Sequence, residues 1–440
     1  AAQVPQWRYV NPRPAEWPSA DFIVGNPPFI GNKRMRDALG DGYAQALRGA
    51  WPEVPESADF VMYWWHHAAS LVRAGEVRRF GLITTNSLRQ AFNRKIIESH
   101  CGASDPIHLA FAVPDHPWVD QVDGAAVRIS MTVGANGMGE GRLLSVCREE
   151  AGESGEVRVD LVEKDGLIQS DLSIGANVVG ARALLSQSKL SNRGVIPHGA
   201  GYLVQGPDAD ALASSGLLRP YRNGKDITDR PRGVYVIDTF DLELDGLRVR
   251  APNAFQWLLD RVKPERDHNP RAKRRERWWR FAEDQKRMRE SVAGLYRFIV
   301  TPYVAKHRPF VFVDGTILPD DMLITIGTSD AVHLGVLSSS PHVFWALATG
   351  GTLEDRPRYT KSTCFETFPF PSDDTGLTPE LTDHIRELAE QLDAHRKARQ
   401  AAFDTVTLTG LYNVLDKLRR GEALSPKEKV LHEQGLVSVL

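Results

Sequence analysis

The sequence predicts an α/β fold that opens on a parallel sheet, continues into a mixed region of short strands and helices, and ends in helices. Three patterns predict it. Asp21-Phe22-Ile23-Val24-Gly25 is a short apolar strand running straight into Asn26-Pro27-Pro28-Phe29. Downstream, Phe60, Val61, Trp64, Ala68, Leu71 and Val72 recur at helical spacing behind Ser57-Ala58-Asp59, with Gly75 as the stop. Phe80-Gly81-Leu82-Ile83-Thr84-Thr85-Asn86 then reads as a buried strand, and Asn86-Ser87 caps a second helix that closes near Gly102. Strand, helix, strand, helix is the alternation of a parallel βα sheet.

Ala126–Val133 is a further strand, and the Gly-, Glu- and Ser-rich residues 134–156 read as an exposed loop or linker. Their glycines do not fit Gly-x-Gly-x-x-Gly, so no phosphate loop is expected there. Further on, Gly233–Asp238 and Arg308–Gly315 are strand-like runs bounded by Gly and Pro. Leu334-Gly335-Val336-Leu337-Ser338-Ser339 is a buried strand or helix start, and Phe368-Pro369-Phe370-Pro371 is extended because each residue before a proline avoids the helical region. From about 372 the pattern is helical. Leu381, Ile385, Leu388 and Leu392 form one stripe, and Leu411, Val414, Leu415 and Leu418 a second.

A length of 440 residues, 42% hydrophobic and 25% charged, suits a globular protein of about three domains. No apolar run approaches the ~18 residues needed to span a bilayer, and no signal-peptide pattern is present, so a cytoplasmic location is expected. Cys101, Cys147 and Cys364 lack ligand spacing, and His66-His67 diverge around a helix, which favours packing over metal binding. The net charge of −2 hides a local extreme: between Arg261 and Arg289 twelve Lys or Arg face five acids, leaving +7, with Trp278-Trp279 in the middle. Clustered cations with aromatics suit nucleic-acid contact, with Arg271, Lys273, Arg274, Arg275 and Arg277 as candidates. The ordinary alternative is a solvated basic helix whose tryptophans face the core. Asp284-Gln285-Lys286 is an acid-x-Lys triplet near other acids, but it lies in the basic stretch without strand character.

Two prolines stop the first strand and stiffen the turn at its carboxyl end, the side on which open α/β sheets bind ligands. An exocyclic base amine is a weak nucleophile because its lone pair is delocalised into the ring. The Asn26 side-chain carbonyl and the Pro27 main-chain carbonyl are neutral acceptors that favour a developing sp3 nitrogen, and Phe29 can stack on a base swung out of the duplex. The plain alternative is a proline turn closing a strand.

Asn26-Pro27-Pro28-Phe29 resembles motif IV of the amino-methylating DNA methyltransferases, whose adenine-specific members carry Asn-Pro-Pro-Tyr or Asn-Pro-Pro-Phe after a strand. Arg219-Pro220-Tyr221-Arg222-Asn223-Gly224-Lys225-Asp226-Ile227, Thr301–Arg308, Leu334–Ser339 and Cys364–Pro371 are similar to the target-recognition domain of single-chain type IIG and type IIL restriction-modification enzymes. The resemblance implies a partial Rossmann-like methyltransferase sheet over 1–140, an α+β target-recognition domain over 157–371, and a helical C-terminal segment over 372–440. It implies S-adenosylmethionine as cofactor, double-stranded DNA as partner and the N6 amine of adenine as acceptor. By resemblance Asn26, Pro27, Pro28 and Phe29 are catalytic, Asp59 and Phe60 line the cofactor's adenine pocket, and Trp118 faces the flipped base. Lys306, His307 and Arg308 are candidates for reading bases, with ordinary surface charge as the alternative.

In the family order the strand before motif IV is the fourth of the sheet, and the Gly-rich turn for the cofactor follows the first. Residues before Asp21, with Pro5, Pro12, Pro14 and Pro18, hold no βαβ unit. The expectation is therefore a chain carrying the target-base half of the site, inactive alone, whose N-terminal methyltransferase half lies elsewhere in the polypeptide or in a separate subunit. The apolar C-terminal end, Gly435–Leu440, reads as truncated. The competing expectation is a DNA-binding specificity subunit or fragment without chemistry of its own.

Overall fold

The computed structural model describes residues 9–119, 126–151, 157–175, 178, 181–353 and 356–439. Pro5, residues 152–156 of the expected linker and Leu440 lie outside them. Two compact units divide the chain, residues 1–180 and 181–440.

The first unit is built from β1 (Phe22–Gly25), α1 (Asn32–Leu39), α2 (Asp41–Ala50), α3 (Val61–Arg73), β2 (Arg79–Thr85), α4 (Ala91–Cys101), β3 (Ile107–Val119), β4 (Ala126–Asn136), β5 (Gly141–Ala151) and β6 (Val157–Gly166). Its sheet has the order β1-β2-β4-β3-β5-β6. It is mixed rather than wholly parallel: β1–β2 and β3–β5 run parallel, while β4 pairs antiparallel with both neighbours and β5–β6 form an antiparallel ribbon. Residues 134–156 therefore depart from the expected loop, because β4 runs on to Asn136 and β5 occupies most of the rest.

Helix α3 covers one face of this sheet, burying Val61, Met62, Trp65, Ala68, Ala69 and Val72. Trp65 meets Phe80 edge-on at 5.1 Å and donates its indole N–H to Thr132 Oγ1 at 3.1 Å, so the largest core side chain is also hydrogen-bonded. The Phe80 ring lies so close over β4 that a Cβ on Gly134 would stand 2.2 Å from it. Among the described residues β1 pairs only with β2, and on its outer face Phe22 and Val24 are 58% and 87% exposed.

Two helix starts differ from expectation. Phe60, not Ser57 or Asp59, is the N-cap of α3, and Asn86–Arg89 form a 3-10 turn, leaving Gln90 to cap α4. In each case the polar side chain is drawn away from its own helix into a shared network described below. His66 and His67 pack within the unit: His66 Nδ1 lies 2.9 Å from His100 Nε2, and the His67 ring lies tilted against Trp17 and Trp51 at 4.2 and 4.9 Å.

The second unit holds two four-stranded sheets. One is ordered β13-β9-β10-β8, from β8 (Leu203–Val204), β9 (Leu218–Arg222), β10 (Tyr235–Ile237) and β13 (Leu318–Pro319). The other is β12-β11-β14-β7, from β7 (Ser191–Arg193), β11 (Arg297–Pro302), β12 (Val311–Asp314) and β14 (Leu323–Ile326). Between β10 and β11 runs a helical layer: α7 (Leu244–Arg250), α8 (Pro252–Arg261), α9 (Lys263–Asp267), α10 (Ala272–Glu276) and α11 (Lys286–Val292), with α5 (Pro207–Leu212) and α6 (Gly224–Thr228) ahead of it. Leu334–Ser338 proves helical, as part of α12 (Ala331–Ser338), which α13 (Ser340–Thr349) follows.

The tail forms α14 (Pro379–Ala402), α15 (Leu408–Arg419) and α16 (Pro426–Gly435). The second expected stripe is the buried one, with Leu411, Val414 and Leu415 in the core. The first is not: Leu381 and Leu388 are each 50% exposed, and α14 instead buries Ala389, Asp393 and Arg396. Polar contacts decide that orientation, since Asp393 Oδ1 accepts Phe312 N–H at 3.2 Å and Arg396 Nη1 donates to the Phe310 carbonyl at 2.9 Å. Val437 is fully buried among the α15 side chains, which gives the apolar end a partner.

Candidate active site

The Asn-Pro-Pro-Phe turn leaves the carboxyl end of β1, next to the carboxyl end of its parallel neighbour β2. Asn26 is exposed and its side chain makes no hydrogen bond among the described residues, whereas Pro27 is buried and Phe29 half-buried. A free amide is thus held on a stiff turn whose second residue is anchored in the protein. The far side of the turn is tied by Ile30 N–H to the Pro28 carbonyl at 3.1 Å and by Phe60 N–H to the Ile30 carbonyl at 2.9 Å.

Beneath the turn Asp59, 8% exposed, gathers four chain segments. Its Oδ1 accepts Asn32 N–H at 2.9 Å, and its Oδ2 accepts Ser87 Oγ–H at 2.7 Å and Asn93 Nδ2–H at 2.8 Å. In return the Asp59 N–H donates to Asn93 Oδ1 at 2.9 Å, and Asn93 Nδ2 also reaches the Ser87 carbonyl at 3.0 Å. Both carboxylate oxygens are therefore occupied from within the chain. Phe60 is 5% exposed and packs on Tyr43, Tyr63 and Trp64. Asp59 thus ties the turn to α4, and the Phe60 ring presents an apolar wall beside it. Sequence reasoning missed Asn32 and Asn93, and took Ser87 only as a cap; nothing in the local pattern distinguishes a buried Asn on a helix from an exposed one.

Trp118 lies on β3 opposite Val127, beyond the level at which Thr85 pairs with Ile129 and Ile129 with His116. It stands at the same end of the sheet as Asn26 and is 39% exposed. Three strand spacings separate β3 from β1, about 14 Å at ~4.8 Å each. The ribbon that carries it is braced by ions: Arg128 donates to Asp115 at 2.5 Å and to Glu149 at 2.7 Å, and Asn86 Nδ2 reaches Asp115 at 3.2 Å.

In the second unit the basic segment separates into two populations. Trp278 and Trp279 are each 6% exposed, and Trp279 donates its indole N–H to the Leu242 carbonyl at 2.9 Å, so both belong to the core. Arg266 is 1% exposed and reaches the Pro197 carbonyl at 2.7 Å, and Arg289 pairs with Asp238 at 2.7 and 2.9 Å. Arg275 donates to the Asn269 and Pro270 carbonyls of its own loop. By contrast the side chains of Arg271, Lys273, Arg274 and Arg277, on and around α10, make no hydrogen bond or ion pair among the described residues. Burial first, and then the neighbouring Arg271 and Arg266, push the Arg274 pKa down against the opposing pull of Glu283. At Asp284-Gln285-Lys286 the Asp284 carbonyl accepts from Arg289 Nε at 2.8 Å, burial pushes the Asp284 carboxyl pKa up, and Lys286 is exposed at the start of α11. No group of three or more His, Cys, Asp or Glu suited to a metal occurs among the described residues.

Lys306 and His307 border a cavity of about 460 Å³ shared with Lys225, Asp320, Met322 and Tyr412. Lys306 Nζ and His307 Nε2 both meet Asn413 Oδ1, at 2.7 and 2.9 Å, and the His307 ring stacks on Tyr412 at 5.8 Å. Arg308 departs from the expectation of a base-reading residue. Its guanidinium turns inward over the Tyr359 ring and donates to the Pro302 and Pro357 carbonyls, and burial pushes its pKa down to about 10.

Residues 1–144 match the family model of the MmeI DNA-methyltransferase domain, and residues 235–372 that of the MmeI target recognition domain. DNA methyltransferase A of Bacillus subtilis (strain 168) is 31% identical over 97 residues, which make up 21% of this chain and 11% of that protein. The fold is similar to that of the type IIL restriction-modification enzyme MmeI solved in complex with DNA, with a TM-score of 0.69 and 18% identity over 95% of this chain and 53% of that one. The chain thus spans about half the length of its solved relative and about a tenth of its curated one. The chain therefore carries an MmeI-type DNA-methyltransferase domain followed by an MmeI-type target recognition domain.

Proposed function

We propose that this chain is the target-base and target-recognition part of a site-specific DNA methyltransferase that methylates the N6 amine of adenine. The observation that carries the proposal is the free Asn26 amide, exposed on an anchored proline turn at the carboxyl end of β1. Its carbonyl oxygen and that of Pro27 accept the two amine hydrogens of an extruded adenine, which favours the nitrogen as its lone pair leaves the ring plane. Phe29 and Trp118 are the aromatic surfaces for that base, and extrusion costs a few kcal/mol that stacking must offset. S-adenosylmethionine, if bound, would supply the methyl group, its sulfonium–methyl bond breaking to leave the neutral thioether; the amine, held by Asn26 and Pro27, would form the N–CH3 bond and release one proton to solvent.

With the Asp59 oxygens engaged within the chain and Phe60 supplying an apolar wall, most polar contacts to the cofactor are assigned to methyltransferase residues outside this stretch. The open side of β1, with Phe22 and Val24 exposed, supports that assignment, since strands in parallel pairing are normally covered on both faces. Arg271, Lys273, Arg274 and Arg277 are proposed to meet DNA phosphates. Lys306 and His307, beside their cavity, are proposed to face base edges. Cytoplasmic DNA is the proposed substrate, and no helix among the described residues is long and apolar enough to cross a membrane.

The test is Asn26→Ala in the natural full-length protein. Methylation should fall by about 10²- to 10³-fold, as for loss of one preorganised transition-state contact, while specific DNA binding stays within about twofold. Near-wild-type methylation by this variant would remove the site. Mapping the methylated base in product DNA separates adenine from cytosine.

A further inference from the structure

We infer that Asn93 and Ser87 are positioning residues for methyl transfer, acting through Asp59 on the Asn26 turn; the inference rests on the reading of that turn as the target-base site. Among the described residues no hydrogen bond holds the Asn26 side chain, so the place of its carbonyl depends on the backbone that carries it. Pro27 and Pro28 fix that backbone on one side through their rings. On the other side, Ile30 to Asn32, Arg48 Nη2 holds the Asn32 side chain at 3.0 Å, and two hydrogen bonds made by the backbone tie the turn to another segment, from Phe60 N–H to the Ile30 carbonyl and from Asn32 N–H to Asp59 Oδ1. Both bonds come from the single segment Asp59–Phe60.

That segment is in turn set by α4 and by the turn after β2. Asn93, fully buried, makes a reciprocal pair with Asp59, its carbonyl taking the Asp59 N–H and its amide donating to Asp59 Oδ2. Ser87 supplies the other donor to Oδ2 and is held by Asn93 through its carbonyl. The network thus joins the carboxyl ends of the two parallel strands at the place where the reacting amine would sit. A network needed only to hold the fold has no reason to terminate on the last residues of this turn. Three hydrogen bonds, from Asn32, Ser87 and Asn93, hold the Asp59 carboxylate in place, which suits it to this mechanical task.

Asn93→Leu keeps the side-chain size, removes one donor from Asp59 and leaves the Asp59 N–H without its acceptor. A displacement of about 1 Å at the turn costs on the order of 10²-fold in rate. In the full-length protein the single-turnover methylation rate of Asn93→Leu should fall about 10²-fold, with KM for DNA and specific DNA affinity within about twofold of wild type. Ser87→Ala should fall roughly tenfold, as for one lost buried hydrogen bond, and Ser87→Thr, which keeps the hydroxyl, should recover most of that. All rates are measured at least 15 degrees below each variant's melting temperature, a margin set at roughly five times the ~3 °C shift expected per kcal/mol. Ser87→Ala against Ser87→Thr decides the matter if Asn93→Leu does not fold. Wild-type rates for folded Asn93→Leu and Ser87→Ala, or rate and DNA affinity falling in equal proportion, would overturn the inference. If Asn26→Ala is inactive while both are normal, only the positioning role fails; if Asn26→Ala is active, the site itself fails.

Discussion

Replacing Arg308 with Met separates a base-reading arginine from a structural one. The Met side chain keeps much of the aliphatic stem but cannot donate to the Pro302 and Pro357 carbonyls or lie as a cation over Tyr359. Two carbonyls lose charge-assisted bonds worth about 1.5–3 kcal/mol each. Desolvation of the guanidinium, which draws its pKa to about 10, offsets part of this, so a net loss near 3 kcal/mol is expected. In a unit of this size that lowers the melting temperature by about 6–12 °C, at ~2–4 °C per kcal/mol. Differential scanning calorimetry on the full-length protein measures the shift, and sequencing of modified DNA measures any change of target. A variant that melts like wild type but methylates a changed sequence would refute this account of Arg308.

Three further predictions rest on the same physical grounds. Trp279→Ala should destabilise the second unit by about 3–5 kcal/mol, as loss of a buried aromatic does, with little change in the salt dependence of DNA binding. Lys273→Gln with Arg277→Gln should leave stability within about 0.5 kcal/mol yet lower the slope of log K against log salt by about 2. Identical behaviour of the two sets would contradict the division of the basic segment. For pH, burial next to His66 lowers the His100 pKa to about 4, below its ordinary 6.5. The folded state therefore resists a proton that the unfolded state accepts, so stability is full above pH ~6.5 and falls toward pH ~4 by up to about 3 kcal/mol. Thermal melts of wild type and His100→Gln across that range should diverge, with the variant flatter.

Much of the first unit was legible because strand and helix periods are local properties. The apolar run before Pro27 and the spacing of Phe60 to Val72 each fix a structure from neighbours in sequence. What failed was partner choice. Asp59 and Asn86-Ser87 have the composition of helix caps, yet their side chains are claimed by residues up to 34 positions away, and no periodicity encodes that. The Gly-rich stretch after Val133 was mistaken for a linker because glycine marks turns, whereas here one glycine admits the Phe80 ring against β4. In α14 the leucine stripe lost to Asp393 and Arg396, whose hydrogen bonds to β12 and the residues before it outweighed the apolar pattern. The basic segment showed its charge but not its direction: the same residue types line a core and a surface within thirty positions.

The buried clusters of the two units share no residue: one draws only on side chains up to Ile174, the others only on side chains from Leu190 onward. Each core can therefore be loosened or tightened by substitutions within its own stretch of sequence, so the two domains can drift in composition through separate sets of apolar residues.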